Sequence, residues 1–591
     1  MRHPSLALLV ASAASAALAA PPAAAPVRGR LTIDTLIDVK HPSQAAWSPD
    51  GEQVAFAWDR AGVQNVYVAG SRQGEPRALT SDASGLVAGL FWSRDSRAVY
   101  FERNGDLWRV AATGAEPAQR VWTTAEAEGD VALSHDGTRV AFARDGDLWV
   151  RALADGRETR LTQTPANESD PAWSPDDRRI AFSITTWTAK QDVPDYLGGK
   201  IAFLYREGYA VHVGTVPAEG GTVVNVARSE GTETAPRWLD ASRLTLQRVR
   251  ADLKSREIVL ADAASGEARV LHRDEDPLFW SMEFLGAEPV PSPDGRLVAF
   301  LSDRDGWDHL YVVPAAGGEA RQITRGSFEA SRPAWSPDGR RIAFDTNEGA
   351  NPGARQLVIA EIGDGLGPAR LQAVTSGRGT NVGAQWAPDG GRLLYQHTDP
   401  KTPAELRVVE ATSAAAPRRL GDPLPAGVDR AALVEPRFVR YDAPDGQKVP
   451  AYLFVPAGLE RARKRPAIVW VHGDGITQNF DGWHVRRDYA VYYSVHQYLI
   501  QRGYVVLAVD YRGSIGYGKE WRQGHYRDLG GADYRDIAAG VDYLKTLGYV
   551  DTTRVGIWGL SYGGFMALQA LTVTPELFRC AIDVAGVDDW A

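Results

Sequence analysis

The pentapeptide Trp47-Ser48-Pro49-Asp50-Gly51 returns, complete or degenerate, along the first two thirds of this 591-residue chain, and its repetition decides the fold. Seven further copies begin at Trp92, Leu133, Trp173, Trp238, Pro291, Trp335 and Trp386. Successive copies start 45, 41, 40, 65, 53, 44 and 51 residues apart, a spacing typical of four-stranded propeller blades. We therefore predict a β-propeller of eight blades, or of seven if the weak copy at Trp238 is not a blade.

Each repeat predicts its own strands. Apolar runs follow most copies, as at 54–56 and 342–344, so Pro-Asp-Gly is predicted to form the turn of a hairpin. Third strands are predicted at 106–110 and 147–150, and part of a fourth at 321–324. Because the tryptophans recur with the blade period, we expect them to pack between blades rather than to bind a ligand.

Beyond about residue 434 the repeat ends and strands alternate with helices. Three unbroken apolar runs predict parallel strands buried on both faces, at 467–471, 504–509 and 554–558. Two further strands are predicted just before them, at 438–441 and 449–456. Ile537, Val541 and Leu544 recur at helical spacing, which predicts a crossover helix. This pattern favours a second domain of the α/β class.

The candidate nucleophile lies directly after the third of these apolar runs, in Gly559-Leu560-Ser561-Tyr562-Gly563-Gly564. Glycines two residues before and after Ser561 leave room for a tight strand-to-helix turn. Such a turn lifts the serine to the amino end of a helix, where the helix dipole favours negative charge. We therefore predict a nucleophile elbow, with Ser561 as the catalytic serine of an α/β-hydrolase domain.

A second motif narrows the class. Asp510-Tyr511-Arg512-Gly513-Ser514-Ile515-Gly516-Tyr517-Gly518 closely resembles the loop that marks the prolyl oligopeptidase family, and the Trp-Ser-Pro-Asp-Gly blades resemble those of TolB-like proteins and of the same family. The resemblance implies a propeller over residues 31–433 and a peptidase domain over 434–591. It also implies a serine peptidase that acts on short peptides, since the propeller of the family restricts access. Ser514 has no elbow and is expected to be a loop residue.

The resemblance also implies an oxyanion hole. One donor would be the backbone N–H of Tyr562, and the second a backbone N–H at Gly473 or Asp474, in the loop after the first parallel strand. This loop departs from the family, whose members read His-Gly-Gly-Pro here or carry tyrosine at the position of His472. We expect His472 to shape the loop rather than to act as a base.

The longest interval between repeats, 65 residues after Trp173, predicts an insertion at about 185–209. In propeller-capped dipeptidyl peptidases, acidic residues on such an excursion bind the free amino terminus of the substrate. By that resemblance Glu207 is the candidate substrate-binding residue. The alternative is that Glu207 belongs to a solvated loop.

A serine nucleophile needs a histidine and a carboxylate, which follow the serine in α/β-hydrolases. The last histidine of this chain is His525, and the downstream carboxylates Asp583, Asp588 and Asp589 come too early for the acid of the family. We therefore expect the triad Asp and His to be absent, the hydrolase domain to be incomplete at its carboxyl terminus, and the chain as given to be inactive.

Composition excludes several other classes of function. The net charge of −9 comes without a basic run, which argues against nucleic acid as a partner. The sequence has no cluster of potential metal ligands at ligand spacing, and serine chemistry needs no cofactor. The only cysteine, Cys580, lies in an apolar strand-like run and is expected to be a buried, inert thiol.

The amino terminus predicts export. Arg2, an apolar stretch at 6–18 and Ala17-Leu18-Ala19 are typical of a signal peptide cleaved after residue 19. Residues 20–30 are then a disordered lead-in, and we expect a periplasmic or extracellular protein without a membrane span.

Two other functions stay open at this point. The elbow also serves esterases and lipases, and a non-catalytic propeller binding protein with a hydrolase remnant would show the same repeats. The downstream coding sequence distinguishes the enzyme from the remnant. Dipeptidyl, acylaminoacyl or internal cleavage, the residue preferred at the scissile bond and the oligomeric state are left undetermined.

Overall fold

A computed structural model describes residues 31–122, 126–187, 209–278, 287–363, 369–412, 416–425, 427–459, 463–473 and 477–587. The predicted signal peptide and lead-in lie outside the described residues, as do Glu207, Asp474, Asp588 and Asp589. Within the described residues, no helix combines the length and the apolar character needed to cross a bilayer.

Eight four-stranded sheets follow one another along the chain, each antiparallel and each built from one continuous stretch. The first four blades contain β1 Ser43–Trp47, β2 Gln53–Trp58, β3 Asn65–Gly70, β4 Arg77–Ala78, β5 Ala88–Trp92, β6 Ala98–Arg103, β7 Asp106–Ala111, β8 Gln119–Arg120, β9 Glu128–Leu133, β10 Arg139–Arg144, β11 Asp147–Ala152, β12 Glu158–Arg160, β13 Asn167–Trp173, β14 Arg179–Trp187, β15 Tyr209–Pro217 and β16 Val224–Val226. The predicted insertion lies between β14 and β15, the second and third strands of blade 4.

The other four blades contain β17 Thr232–Trp238, β18 Arg243–Val249, β19 Ser255–Asp262, β20 Ala268–Glu275, β21 Val290–Pro291, β22 Leu297–Ser302, β23 His309–Pro314, β24 Arg321–Gln322, β25 Ala330–Trp335, β26 Arg341–Thr346, β27 Gln356–Glu361, β28 Arg370–Ala373, β29 Thr380–Trp386, β30 Arg392–Asp399, β31 Thr402–Glu410 and β32 Arg418–Arg419. The copy at Trp238 does end the first strand of a blade. The prediction of eight blades is confirmed, and the alternative of seven is wrong.

The repeat tryptophans join neighbouring blades. The indole N–H donates to a backbone carbonyl of the preceding blade at 2.8–3.2 Å in six cases: Trp92 to Ala46, Trp173 to Ala132, Trp238 to Ala172, Trp335 to Val290, Trp386 to Ala334 and Trp47 to Gln385. The last of these bonds joins blade 1 to blade 8 and so helps to close the ring. These tryptophans therefore have the structural role that their spacing predicts.

Side chains also close the ring, since in the part of the chain that the structure describes blades 1 and 8 are each built from their own four strands. Phe56 and Trp58 of blade 1 share an apolar cluster with Leu394 and Leu406 of blade 8. Burial of such a cluster contributes on the order of 25 cal/mol for each Å² of apolar surface removed from water.

The second domain is a six-stranded sheet flanked by helices. Its strands are β33 Arg437–Asp442, β34 Lys448–Phe454, β35 Arg465–Val471, β36 Val505–Val509, β37 Val550–Leu560 and β38 Cys580–Val584. The helices of the described residues are α1 Ile33–Ile37, α2 Arg487–Gln501, α3 Lys519–Arg522, α4 Ala532–Thr546 and α5 Tyr562–Val573, with a 3₁₀ helix at Arg430–Ala432. The sheet order is β33-β34-β36-β35-β37-β38, and the last four strands in this order are parallel.

Two details differ from the sequence prediction. Helix α1, which the sequence prediction assigns to the propeller, packs against the hydrolase domain: Leu36 lies in one apolar cluster with Trp470 and Trp483, and its carbonyl accepts a hydrogen bond from Ser494. Cys580 was expected to be buried and is exposed. It begins β38, the edge strand of the described sheet, so an apolar sequence here does not mean burial on both faces.

Candidate active site

Ser561 lies in a sharp turn between β37 and α5. Its backbone has φ 57° and ψ −117°, a conformation that residues other than glycine rarely adopt. The turn is held by a bond from the Ser561 N–H to the Val584 carbonyl, 2.8 Å, and by the bond that the Gly564 N–H donates to the Ser561 carbonyl, also 2.8 Å. The predicted strand, turn and helix are all present, and the serine is half-buried at the carboxyl end of a parallel strand.

The glycines around Ser561 are required by close backbone contacts. A Cβ on Gly559 would lie 2.2 Å from the Gly563 carbonyl oxygen, and a Cβ on Gly563 would lie 2.2 Å from the Val471 carbonyl oxygen. Real Cβ atoms do not approach oxygen so closely, so neither position accepts a side chain without movement of the backbone. The second contact also packs the first turn of α5 against the end of β35.

The loop after β35 lies against the nucleophile. A Cβ built on Gly473 would lie 2.9 Å from Ser561 Cβ and 2.7 Å from the Tyr489 hydroxyl oxygen. Gly473 therefore packs closely against the serine and against a phenol from α2, and a side chain at this position would not fit without movement. The loop after β35 thus lies beside Ser561, next to the start of α5, where backbone N–H groups can stabilise an oxyanion.

Buried side chains fix this loop from below. His472, 1% exposed, contacts the Gly473 carbonyl through Nδ1 at 2.9 Å and the Ser514 hydroxyl through Nε2 at 2.9 Å. The Tyr511 hydroxyl donates to the His472 carbonyl at 3.0 Å, and the two rings stack. Ser514 donates to the Tyr511 carbonyl at 2.7 Å. His472 and Ser514 thus occupy the loop-shaping positions expected from sequence.

The side chain of Tyr562 is held by a hydrogen bond from its hydroxyl group. Its hydroxyl donates to Asp533, a buried carboxylate in the first turn of α4. Burial, reinforced by the neighbouring Asp533, raises the pKa of Tyr562, and burial raises the pKa of Asp533 as well. The phenol therefore stays protonated as a donor, and its bond ties the first residue of α5 to α4.

Two buried histidines lie close to the site. His484 and His496, together with Tyr489, line a cavity of about 30 Å³ enclosed mainly by aromatic side chains. Burial lowers the pKa of each histidine to about 3. Both imidazoles are therefore neutral in the folded protein at neutral pH, and neither carries the positive charge that a histidine gains as an acid catalyst.

These histidines predict acid sensitivity. Since the pKa of each is lower in the folded chain than the unfolded value of 6.5, the unfolded chain binds more protons below pH 6.5, and stability falls as pH falls from 6.5 towards 3. Lowering the pH from 8 to 5 should reduce the free energy of unfolding by about 2 kcal/mol for each of the two histidines. Urea unfolding at both pH values measures this. In the His496→Leu variant the difference should shrink by about 2 kcal/mol; an unchanged difference would contradict the assignment.

Two residues that bound the site carry no signal in the sequence. Tyr489 reaches Gly473 only because α2 docks over the end of β35, a packing that no local pattern predicts. Asp533 stands in the first turn of a predicted helix, where acidic residues are common for the helix dipole alone, so its bond to Tyr562 could not be foreseen.

Comparison with known proteins agrees with this geometry. Residues 490–591 match the sequence model of the prolyl oligopeptidase family, and residues 188–419 match that of the TolB beta propeller domain. The chain thus carries a prolyl oligopeptidase family domain, with the elbow and the loop after β36 inside it, behind an eight-bladed propeller. The family recognised from the Asp510–Gly518 loop is confirmed.

Individual relatives are distant. A probable dipeptidyl peptidase 4 of Emericella nidulans is 24% identical over 346 residues, which are 56% of this chain and 44% of that protein. The uncharacterized peptidase YuxL of Bacillus subtilis is 25% identical over 93% of this chain and 74% of its own. The crystal structure of Porphyromonas gingivalis dipeptidyl peptidase 4 superposes with a TM-score of 0.72 at 18% identity, over 92% of this chain and 82% of that one.

Proposed function

We propose that this protein is an exported serine peptidase that hydrolyses short peptides through an acyl-enzyme at Ser561, with the propeller restricting access. The observation that carries the proposal is the turn at Ser561, strained at φ 57° between a parallel strand and a helix. Such a turn presents a hydroxyl at the sheet edge where α/β-hydrolases carry their chemistry. The family domain and the propeller favour peptides over lipid or simple ester substrates, so esterase or lipase activity is the less favoured alternative.

In the proposed mechanism the Ser561 hydroxyl oxygen attacks the scissile carbonyl carbon. The backbone N–H of Tyr562 and a backbone N–H at Gly473 or Asp474 would donate to the resulting oxyanion. The bond from the Tyr562 phenol to Asp533 supports the first of these roles, since it fixes the residue that carries the N–H. Glu207 remains a candidate for binding the amino terminus of the substrate.

The reaction also needs a base that takes the serine proton and returns it to the leaving amine. The hydrogen bonds that hold Ser561 in its turn are made by its backbone, and the sequence contains no histidine after His525. His472 is already engaged by Ser514 and Gly473. We therefore assign neither the base nor the acid to a described residue, and the tests of this proposal use the full-length gene product, whatever its extent.

Restricted access predicts selection by substrate size. The full-length gene product should cleave a peptide of about ten residues and leave a folded protein that contains the same ten residues intact. The measurement is mass spectrometry of the products after equal incubation, with the same protein unfolded and fragmented as the matched control. Comparable cleavage of the folded and the fragmented substrate would overturn the role of the propeller.

A further inference from the structure

The loop Asp510–Gly518, which supports the candidate active site, packs against the propeller. Ile515, at the centre of this loop, is 9% exposed and lies in an apolar cluster made of propeller side chains, among them Leu301 of blade 6 and Trp335 of blade 7. The loop of one domain is therefore inserted into the packed surface of the other.

One carboxylate fixes the loop in this position. Glu329 precedes the first strand of blade 7 and is fully buried. Its Oε1 accepts hydrogen bonds from the backbone N–H groups of Gly516 at 3.0 Å and Gly518 at 3.2 Å. Asn347, from the same blade, accepts from the Glu329 N–H at 2.7 Å and donates to the Gly516 carbonyl at 2.9 Å.

The same loop continues to the oxyanion hole. Ser514, two residues before Gly516, contacts His472, and His472 contacts the carbonyl of Gly473. Gly473 in turn lies against Ser561 Cβ. Ser514 and His472 are buried side chains in close packing, where a displacement at one point is passed to its neighbours.

We propose that Glu329 is a positioning residue for catalysis, which places the oxyanion loop under the control of the propeller; this rests on the proposed function. The two hydrogen bonds to a single oxygen of Glu329 hold the loop backbone at Gly516 and at Gly518. Catalytic groups must be held to within about 0.5 Å of the productive geometry. Loss of the two bonds at Gly516 and Gly518 would release the loop and so reduce transition-state binding more than substrate binding.

A purely electrostatic role is the competing explanation. Arg355 lies 3.5 Å from Glu329 Oε2, and Arg522 lies 4.0 Å from Oε1. Each arginine has other carboxylates at shorter distances: Asp345 lies 3.4 Å from Arg355, and Asp308 lies 2.8 Å from Arg522. The shortest contacts of Glu329 across the domain interface are those with the two glycine amides, which is why the positioning role is favoured.

Two variants of Glu329 separate the positioning role from the electrostatic role. Glu329→Gln keeps a carbonyl oxygen for the two amides but loses the charge. Glu329→Asp keeps the charge but withdraws the carboxylate by one methylene. In the full-length gene product we expect the Glu329→Asp variant to lower kcat at least about tenfold with KM within about threefold, as for loss of part of an oxyanion hole. We expect Gln to keep kcat within about threefold of wild type.

Three further measurements complete the test. Affinity for a peptide boronic acid, which forms a tetrahedral adduct, should fall with kcat in the Asp variant. Amide hydrogen exchange over 471–473 and 510–518 should accelerate in the Asp variant only, a readout that does not need turnover. Asp59→Asn, which removes a different ion pair between the domains, to Arg487, should change none of these.

A larger loss of kcat in the Glu329→Gln variant than in the Glu329→Asp variant would show that the charge of Glu329 matters more than its position, and would overturn the proposal. Unchanged kcat in the Asp variant, or equal losses that follow unfolding temperature in both variants, would also overturn it. If the wild-type protein cleaves no peptide, the proposed function fails; the hydrogen exchange then still decides whether Glu329 holds the loop.

Discussion

Replacing Ser561 by alanine in the full-length gene product is expected to reduce peptide hydrolysis at least about a thousandfold, because no other group can form the acyl-enzyme. The fold should not change, since the Ser561 contacts that hold the turn are made by its backbone N–H and carbonyl groups. Steady-state kinetics on a short peptide measures the loss, and circular dichroism with thermal unfolding checks the fold.

Ser514→Ala is the matched control. The two hydroxyls are both near the oxyanion loop, but the Ser514 hydroxyl is buried and donates to the Tyr511 carbonyl, so it is not available as a nucleophile. Its removal loosens His472 and should cost about tenfold, in line with a supporting role. Equal losses in the two variants, with both folds intact, would mean that the nucleophile is wrongly assigned.

The second large effect concerns the 591-residue chain itself. It should show little turnover beside the full-length gene product, because its sequence contains no histidine after Ser561 to deprotonate the serine and protonate the leaving amine. Equal molar amounts, assayed with the same peptide, give the comparison. Turnover of the shorter chain within about tenfold of the longer one would show that a base already exists within it, and a His525 variant would then be the first to examine.

The architecture could be predicted because its determinants are local and repeated. A turn of Ser-x-Asp-Gly type needs only neighbouring residues, and in the blade the Ser48 hydroxyl bonds the Asp50 carboxylate two residues away at 2.6 Å. Eight copies of such a unit leave few alternatives to a closed ring of blades. The elbow could be predicted for the same reason, since Gly559 and Gly563 stand where close backbone contacts leave no room for a side chain.

The rest depends on contacts that connect distant parts of the chain. Helix α1 belongs to the hydrolase core although it precedes the propeller, because Leu36 packs about 430 residues away in sequence, beside Trp470. The exposure of Cys580 follows from the position of β38 at the sheet edge, which the apolar run does not encode. Glu329 reads as an ordinary acidic residue before a strand, and only the docked domains bring it to the amides of Gly516 and Gly518.

The most direct test of the account is covalent labelling of the full-length gene product with a fluorophosphonate probe, followed by mass spectrometry of the modified peptide. Such probes react with serines activated by a neighbouring base. The account predicts one label for each chain, on Ser561, and none in the 591-residue chain treated in parallel. Labelling at Ser514 or at another residue, or stoichiometric labelling of Ser561 in the shorter chain, would contradict it.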